Sequence, residues 1–180
     1  MKKNVFVFGL ISGLIVTAFM VFASIKCYVS GTFKDSEVYG YTGMLVAFSF
    51  IFVGIKNYRD KYNNGVISFG RAFRIGLFIA LIASTFYVLV WVIEYYVFFP
   101  DWLTKYCTHV INDAKASGVS QLELDKKTAQ MNWFKEAYKN PLFVVLLTYM
   151  EILPIGVVIS LISALFLKRK QPPAGKLATA

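Results

Sequence analysis

Four stretches of this chain stay apolar for eighteen or more residues, and that restricts what it can fold into more than anything else. Val5 to Ile25 carries no charge, and Ser36 to Ile55 meets only Glu37, at its edge. Ile75 to Phe99 contains Glu94; Leu142 to Leu167 contains Glu151 and stops at Lys168-Arg169-Lys170. About 20 residues rising 1.5 Å each cross a hydrocarbon core of about 30 Å. A surface helix of a soluble protein shows a polar face every three or four residues, and these runs show none. The expected fold is all-α: an integral membrane protein with four transmembrane helices.

Composition agrees. Of 180 residues, 57% are hydrophobic and only 16% charged, with a mean hydropathy of +0.58. Soluble domains carry about 25% charged residues, and disordered chains need low hydrophobicity. The first run is longer than a signal-peptide apolar region of about 7–15 residues. Ala23-Ser24-Ile25-Lys26 is a poor cleavage site, and Lys26 before Cys27 argues against a lipoprotein. The run therefore reads as an uncleaved span.

The net charge of +9 raises nucleic acid as a partner, but the placement of the charges argues against it. One side of the expected bundle holds Lys2, Lys3, the 56–74 loop and the tail, with eleven basic residues against Asp60. The other holds eight basic and six acidic residues in the 26–35 loop and the 100–141 segment. Lysine and arginine in short loops stay on the cytoplasmic side, so both termini are expected there, in a multi-pass inner-membrane protein. Anionic lipid head groups attract such juxtamembrane clusters, which leaves nucleic acid unnecessary.

Between the third and fourth spans, 101–140 reads as an outer amphipathic helical pair. Leu103, Tyr106, Cys107, Val110 and Ala114 lie on one face at helical spacing; Gly118 suits a C-terminal cap. Ser120 and Glu123 form a capping box, opening a second helix with Leu122, Ala129, Trp133 and Ala137 on one side. Pro141 suits the first turn of the last span. Val66 to Arg74 reads as an interfacial elbow leading into the third span. Residues 1–170 thus form one membrane domain, and 171–180, with Pro172-Pro173, a disordered cytoplasmic tail. There is no internal repeat of the kind inverted-repeat transporters show.

Small residues at four-residue spacing let helices approach closely in lipid. Gly9, Gly13 and Thr17 form one such stripe, Gly76, Ala80 and Ser84 another, and Gly156, Ser160 and Ala164 a third; Gly43 and Ala47 are a shorter one. They serve packing within one bundle or, alternatively, a homodimer seam. Tyr28, Tyr39, Tyr41, Trp91, Tyr95, Tyr96 and Trp102 gather near the outer interface as an aromatic belt.

Few residues suggest chemistry. Glu151 lies roughly 13–14 Å into its span, near the midplane, where an ionised carboxylate is costly unless paired or hydrated. Pro154 leaves the Met150 carbonyl without its helical donor, and such polar breaks line cavities in transporters. The plainer alternative is a packing hydrogen bond. Glu94, near the end of its span, is expected to snorkel toward water, with Lys105 or another base of the outer segment as a partner. Arg71 and Arg74, one turn apart, suit one lipid phosphate. His109 lacks the convergent ligands a metal needs, and no catalytic motif occurs. No metal, cofactor or enzymatic activity is expected. Cys27 and Cys107 fall on the same side, where a disulfide is permitted, though their meeting does not follow from sequence.

Several segments together resemble a bacterial family of small membrane proteins, the 4199 family of domains of unknown function. They include Gly9-Leu10-Ile11-Ser12-Gly13, Gly43-Met44-Leu45-Val46-Ala47-Phe48-Ser49, Ser68-Phe69-Gly70-Arg71, Phe134-Lys135-Glu136-Ala137-Tyr138 and Glu151-Ile152-Leu153-Pro154. The resemblance implies a four-helix inner-membrane protein and no particular activity; it adds weight to Glu151 and Arg71. Two functions are expected to compete. The leading one is a structural or accessory protein that docks a partner through its outer pair. The other is a small dimeric transporter with Glu151 as a proton- or cation-coupling carboxyl.

Overall fold

A computed structural model describes residues 1–33 and 36–169, without the side chains of Ser36 and Glu37. The expected tail from 171 lies outside the described residues. Among those residues, four helices are long and apolar enough to cross a membrane: α1 (Lys2–Ser30), α2 (Ser36–Tyr62), α3 (Phe69–Ile93) and α6 (Pro141–Leu167). A π-helical turn, Glu94–Phe98, prolongs α3, and α4 (Trp102–Ala116) and α5 (Gln121–Ala137) lie between it and α6.

Each end has a local cause. The Ser68 hydroxyl accepts from the Arg71 N–H and starts α3 at Phe69. The elbow expected over 66–74 is therefore already helix for most of its length. Ile67, just before it, pairs with Arg169 through two backbone hydrogen bonds of 2.9 and 3.0 Å. Gly118, at φ +68°, takes the left-handed turn after α4, a conformation glycine adopts without steric cost. Both halves of the Ser120–Glu123 capping box are made. Pro141 occupies the first turn of α6, and the Asn140 side chain accepts from the Leu142 N–H. The helix runs on through Pro154 to Leu167.

α3 packs on α1 and α6, and α2 closes the ring against the same two helices. The small-residue stripes sit in these seams. A Cβ at Gly156 would lie 2.7 Å from the Ala80 Cβ, and one at Gly76 2.8 Å from the Ser160 Oγ. α1 meets α3 the same way, Gly9 against Ile82 and Gly13 against Phe86 and Ala83. Ser84 and Ala164 are also buried. Phe48, Ile51, Ile55, Ile75, Ile79 and Ile152 are fully buried between the helices. This close-packed half lies toward the end bearing Lys2, Lys3 and the 56–74 loop, hereafter the basic end. Asn4 reinforces it: its amide donates to the Gly54 carbonyl at 2.9 Å and accepts from Asn57 at 2.6 Å.

At the opposite, capped end, α4 and α5 turn their apolar faces onto the bundle. Leu103, Cys107, Met131, Tyr138 and Val144 form a second core, packed against Trp91, Val92 and Tyr95 of the α3 region. On α4 the buried face is the one its spacing predicts. On α5 it is not: Leu122 (65% exposed) and Trp133 (58%) face outward, and Met131 and Tyr138 are buried. α5 has too few apolar residues for its stripe to choose a face. The bulky run Met131, Phe134, Tyr138 wins because it meets Tyr95 and Phe143. Phe33, just past α1, pins the cap from the side against Trp102, Tyr106 and His109.

Candidate functional site

Between the close-packed half and the cap lies a cavity of about 490 Å³ to which all six helices contribute. Its volume falls in the range of small-molecule sites, about 300–1,000 Å³. Met20, Ala23, Ser24 and Cys27 of α1 form one wall, and Tyr87 and Trp91 of α3 the adjoining one. Trp102, Leu103, Tyr106 and Cys107 of α4, with Gln130, Met131 and Phe134 of α5, roof it. Gly40 and Tyr41 of α2 face Thr148 and Glu151 of α6 across it.

Glu151 keeps accessible surface although it stands in the middle of α6, because its side chain lines this space. It acts electrostatically on the phenols of Tyr87 and Tyr138. Burial is the main cause of the raised pKa of Tyr138, at the α5–α6 junction, and Glu151 adds to it. Thr148, one turn before Glu151, is buried and donates to the Val144 carbonyl. Tyr41, Gln130 and Glu151 are the exposed members of the lining, and they mark where it opens, between α2, α5 and α6. Gly40 stands at the same opening, and a Cβ there would meet nothing within 4 Å.

Glu94 departs from its expectation. It is buried, 6% exposed, and does not snorkel. The π-helical turn begins at Glu94, whose carbonyl accepts from the Phe99 N–H five residues on. The Glu94 Oε2 is buried without a hydrogen-bond partner, and Ser24, whose hydroxyl lies close enough to act on the carboxyl, also lines the cavity. Lys105 binds Asp101 instead, at 3.3 Å, while the Tyr28 hydroxyl donates to the same carboxylate at 2.6 Å. Lys105 also lies 3.5 Å above the Tyr28 ring. This group ties the end of α1 to the start of α4.

The remaining residues are scattered. Arg71 and Arg74 are exposed at the basic end, and the Arg71 guanidinium donates to the Asn63 side chain at 3.2 Å. His109 pairs with Asp113 at 3.4 Å, and no group of metal-ligating side chains occurs among the described residues. Cys27 and Cys107 are buried on the lining of one cavity, and burial pushes the Cys107 thiol up. Trp91 and Trp102, expected in an interfacial belt, instead pack edge to face, 5.1 Å apart, inside the cap. Tyr87, Ser24, Gln130 and Phe33 were not anticipated. The only sequence signal for Tyr87 and Ser24 is that a polar group inside an apolar span requires a reason.

These features define a multi-pass membrane protein whose helical cap roofs a cavity that opens beside an intramembrane carboxyl. A family model described as a protein of unknown function, DUF4199, matches residues 7–169, and the chain belongs to that family. No curated protein and no solved structure matches the chain.

Proposed function

We propose that the protein is a small membrane transporter that takes up a small molecule in the capped cavity, with Glu151 as the coupling carboxyl. The observation that carries this reading is that Glu151 opens onto a cavity of about 490 Å³ and has no hydrogen bond or ion pair to another helix among the described residues. A carboxyl kept in a span without a packing partner is a functional-site hypothesis by default. The basic end then faces the cytoplasm of a bacterial cell, where its lysines and arginines, with Arg71 and Arg74 adjacent, contact anionic head groups of the inner membrane. Neither enzymatic chemistry nor nucleic acid is required.

Thermal unfolding of the purified protein in detergent, with a panel of cationic, anionic and neutral small molecules, tests the site. At least one class should raise Tm, and Gly40→Leu, which fills the opening, should abolish the shift. If no class raised Tm, the cavity reading would fail. Reconstituted in vesicles, Glu151→Gln should abolish pH-gradient-driven flux of the stabilising compound; unchanged flux would remove Glu151 from the mechanism.

A second reading, an accessory protein, rests on Leu122 and Trp133, which leave an apolar strip of α5 facing outward. Replacing both with serine should then release a copurifying partner. The faces around Leu103 and Val110 no longer serve that reading, because they are packed against the bundle.

A further inference from the structure

Among the described residues, eighteen line the cavity, and Glu151 is the one carboxyl side chain in that lining, with no lysine, arginine or histidine beside it. A lining with a carboxylate and no base disfavours anions, including any lipid with a phosphate, since a buried charge needs an opposite partner. Seven of the eighteen are aromatic, against 17% in the whole chain. Trp and Tyr faces attract cations, most strongly where water is excluded. Tyr87 and Tyr138 line the same cavity as Glu151, so a cation paired with the carboxylate shares that space with their rings.

The other titratable groups facing this space do not supply a positive charge. α2 contributes Tyr41, α3 Tyr87, α4 Tyr106 and the α5–α6 junction Tyr138, all phenols; α1 and α4 contribute the Cys27 and Cys107 thiols. Lys135 of α5 acts on Cys107 from behind the roof. Glu94, reached through Ser24, adds a second carboxyl behind the α1 wall.

We propose that the cavity is a site for a hydrophobic organic cation, an ammonium or phosphonium centre on an apolar or aromatic body, held by Glu151 and the surrounding Tyr and Trp rings. The opening between α2, α5 and α6 lies on the flank of the bundle, so such a cation enters from the bilayer, where its apolar body concentrates. The proposal rests on the cavity reading above, and its test separates the two.

Tetraphenylphosphonium and tetraphenylborate have nearly the same shape and opposite charge. Their binding to the full-length protein in dodecyl maltoside is measured by isothermal titration calorimetry. Tetraphenylphosphonium should bind at least tenfold more tightly than tetraphenylborate. Glu151→Gln should cut the cation's affinity tenfold or more and erase the preference, and Gly40→Leu should block both probes. Glu151→Gln keeps side-chain volume, and an unchanged melting profile confirms that the fold survives. Equal binding of the two probes, still blocked by Gly40→Leu, would overturn the cation assignment and leave the cavity reading standing. Failure of both to bind, or cation binding indifferent to Glu151→Gln, would overturn the proposal as well. A free hydrophobic cation and a cationic membrane amphiphile share this chemistry. Displacement of tetraphenylphosphonium by dodecyltrimethylammonium as strong as that by tetraphenylarsonium would show that the site also accepts a single-chain amphiphile, and weaker displacement would restrict it to compact cations; displacement by neither would overturn the assignment.

Discussion

Tyr28, Asp101 and Lys105 show what one carboxylate does at the junction of cap and bundle. The Tyr28 hydroxyl, and after it Lys105, hold the Asp101 carboxyl below its ordinary value of 3.8. A depressed acid stabilises the folded state above its unfolded pKa and loses that contribution as pH falls through its folded pKa. The tie is therefore intact at neutral pH and is released below about pH 3.8. Protection of the α4 amides, corrected for their intrinsic exchange rates, should fall as pH drops below about 3.8, and Tyr28→Phe should shrink that change. A second prediction concerns two glycines of opposite character. Gly156 touches Ala80, and Gly156→Leu should destabilise by about 1–3 kcal/mol through overpacking, seen as a lower Tm. Gly40 faces open space, and Gly40→Leu should leave Tm unchanged or raise it, since glycine is a poor helix former. Glu151 was legible from sequence because a carboxyl in an apolar run is costly wherever it points. The burial of Glu94 was not, because the π-helical turn that begins there depends on hydrogen-bond geometry that composition does not encode.

Helices α4 and α5 differ in how far their own residues determine them. α4 has an unbroken apolar face, Leu103, Cys107 and Ala114, and buries it. α5 owes its start to Ser120 and its docking to three large side chains near its end. Ser120→Ala should cost about 1 kcal/mol and speed amide exchange in the first turn of α5, with Met131 and Tyr138 still protected. If the whole helix exchanged faster, the docking contacts would be weaker than their burial indicates. The four spans were readable because length and hydrophobicity alone set a span. What α4 and α5 cover was not, because an amphipathic face states that it must be buried and leaves open against what. Tyr95, Trp91 and Phe143 answer that only in three dimensions.

At the scale of the whole molecule, orientation is the open consequence of charge placement. In a background with Cys27 and Cys107 replaced by alanine, Ser117→Cys should react with a membrane-impermeant maleimide added to intact cells. Asn64→Cys should react only after permeabilisation. The reverse pattern would place the basic end outside and invert the proposed topology. The cavity itself escaped the sequence because its lining is drawn from six helices, and no local window of residues holds more than a fraction of it.

The bundle is built unevenly along its length: glycine, alanine and serine seams at the basic end, an internal space at the other. Proteins yield to hydrostatic pressure in proportion to the void they lose on opening. This molecule is thus stiff at one end and compressible at the other. Squeezing it would work on the cap long before the seams, so compressibility, normally averaged over a whole protein, here has an address.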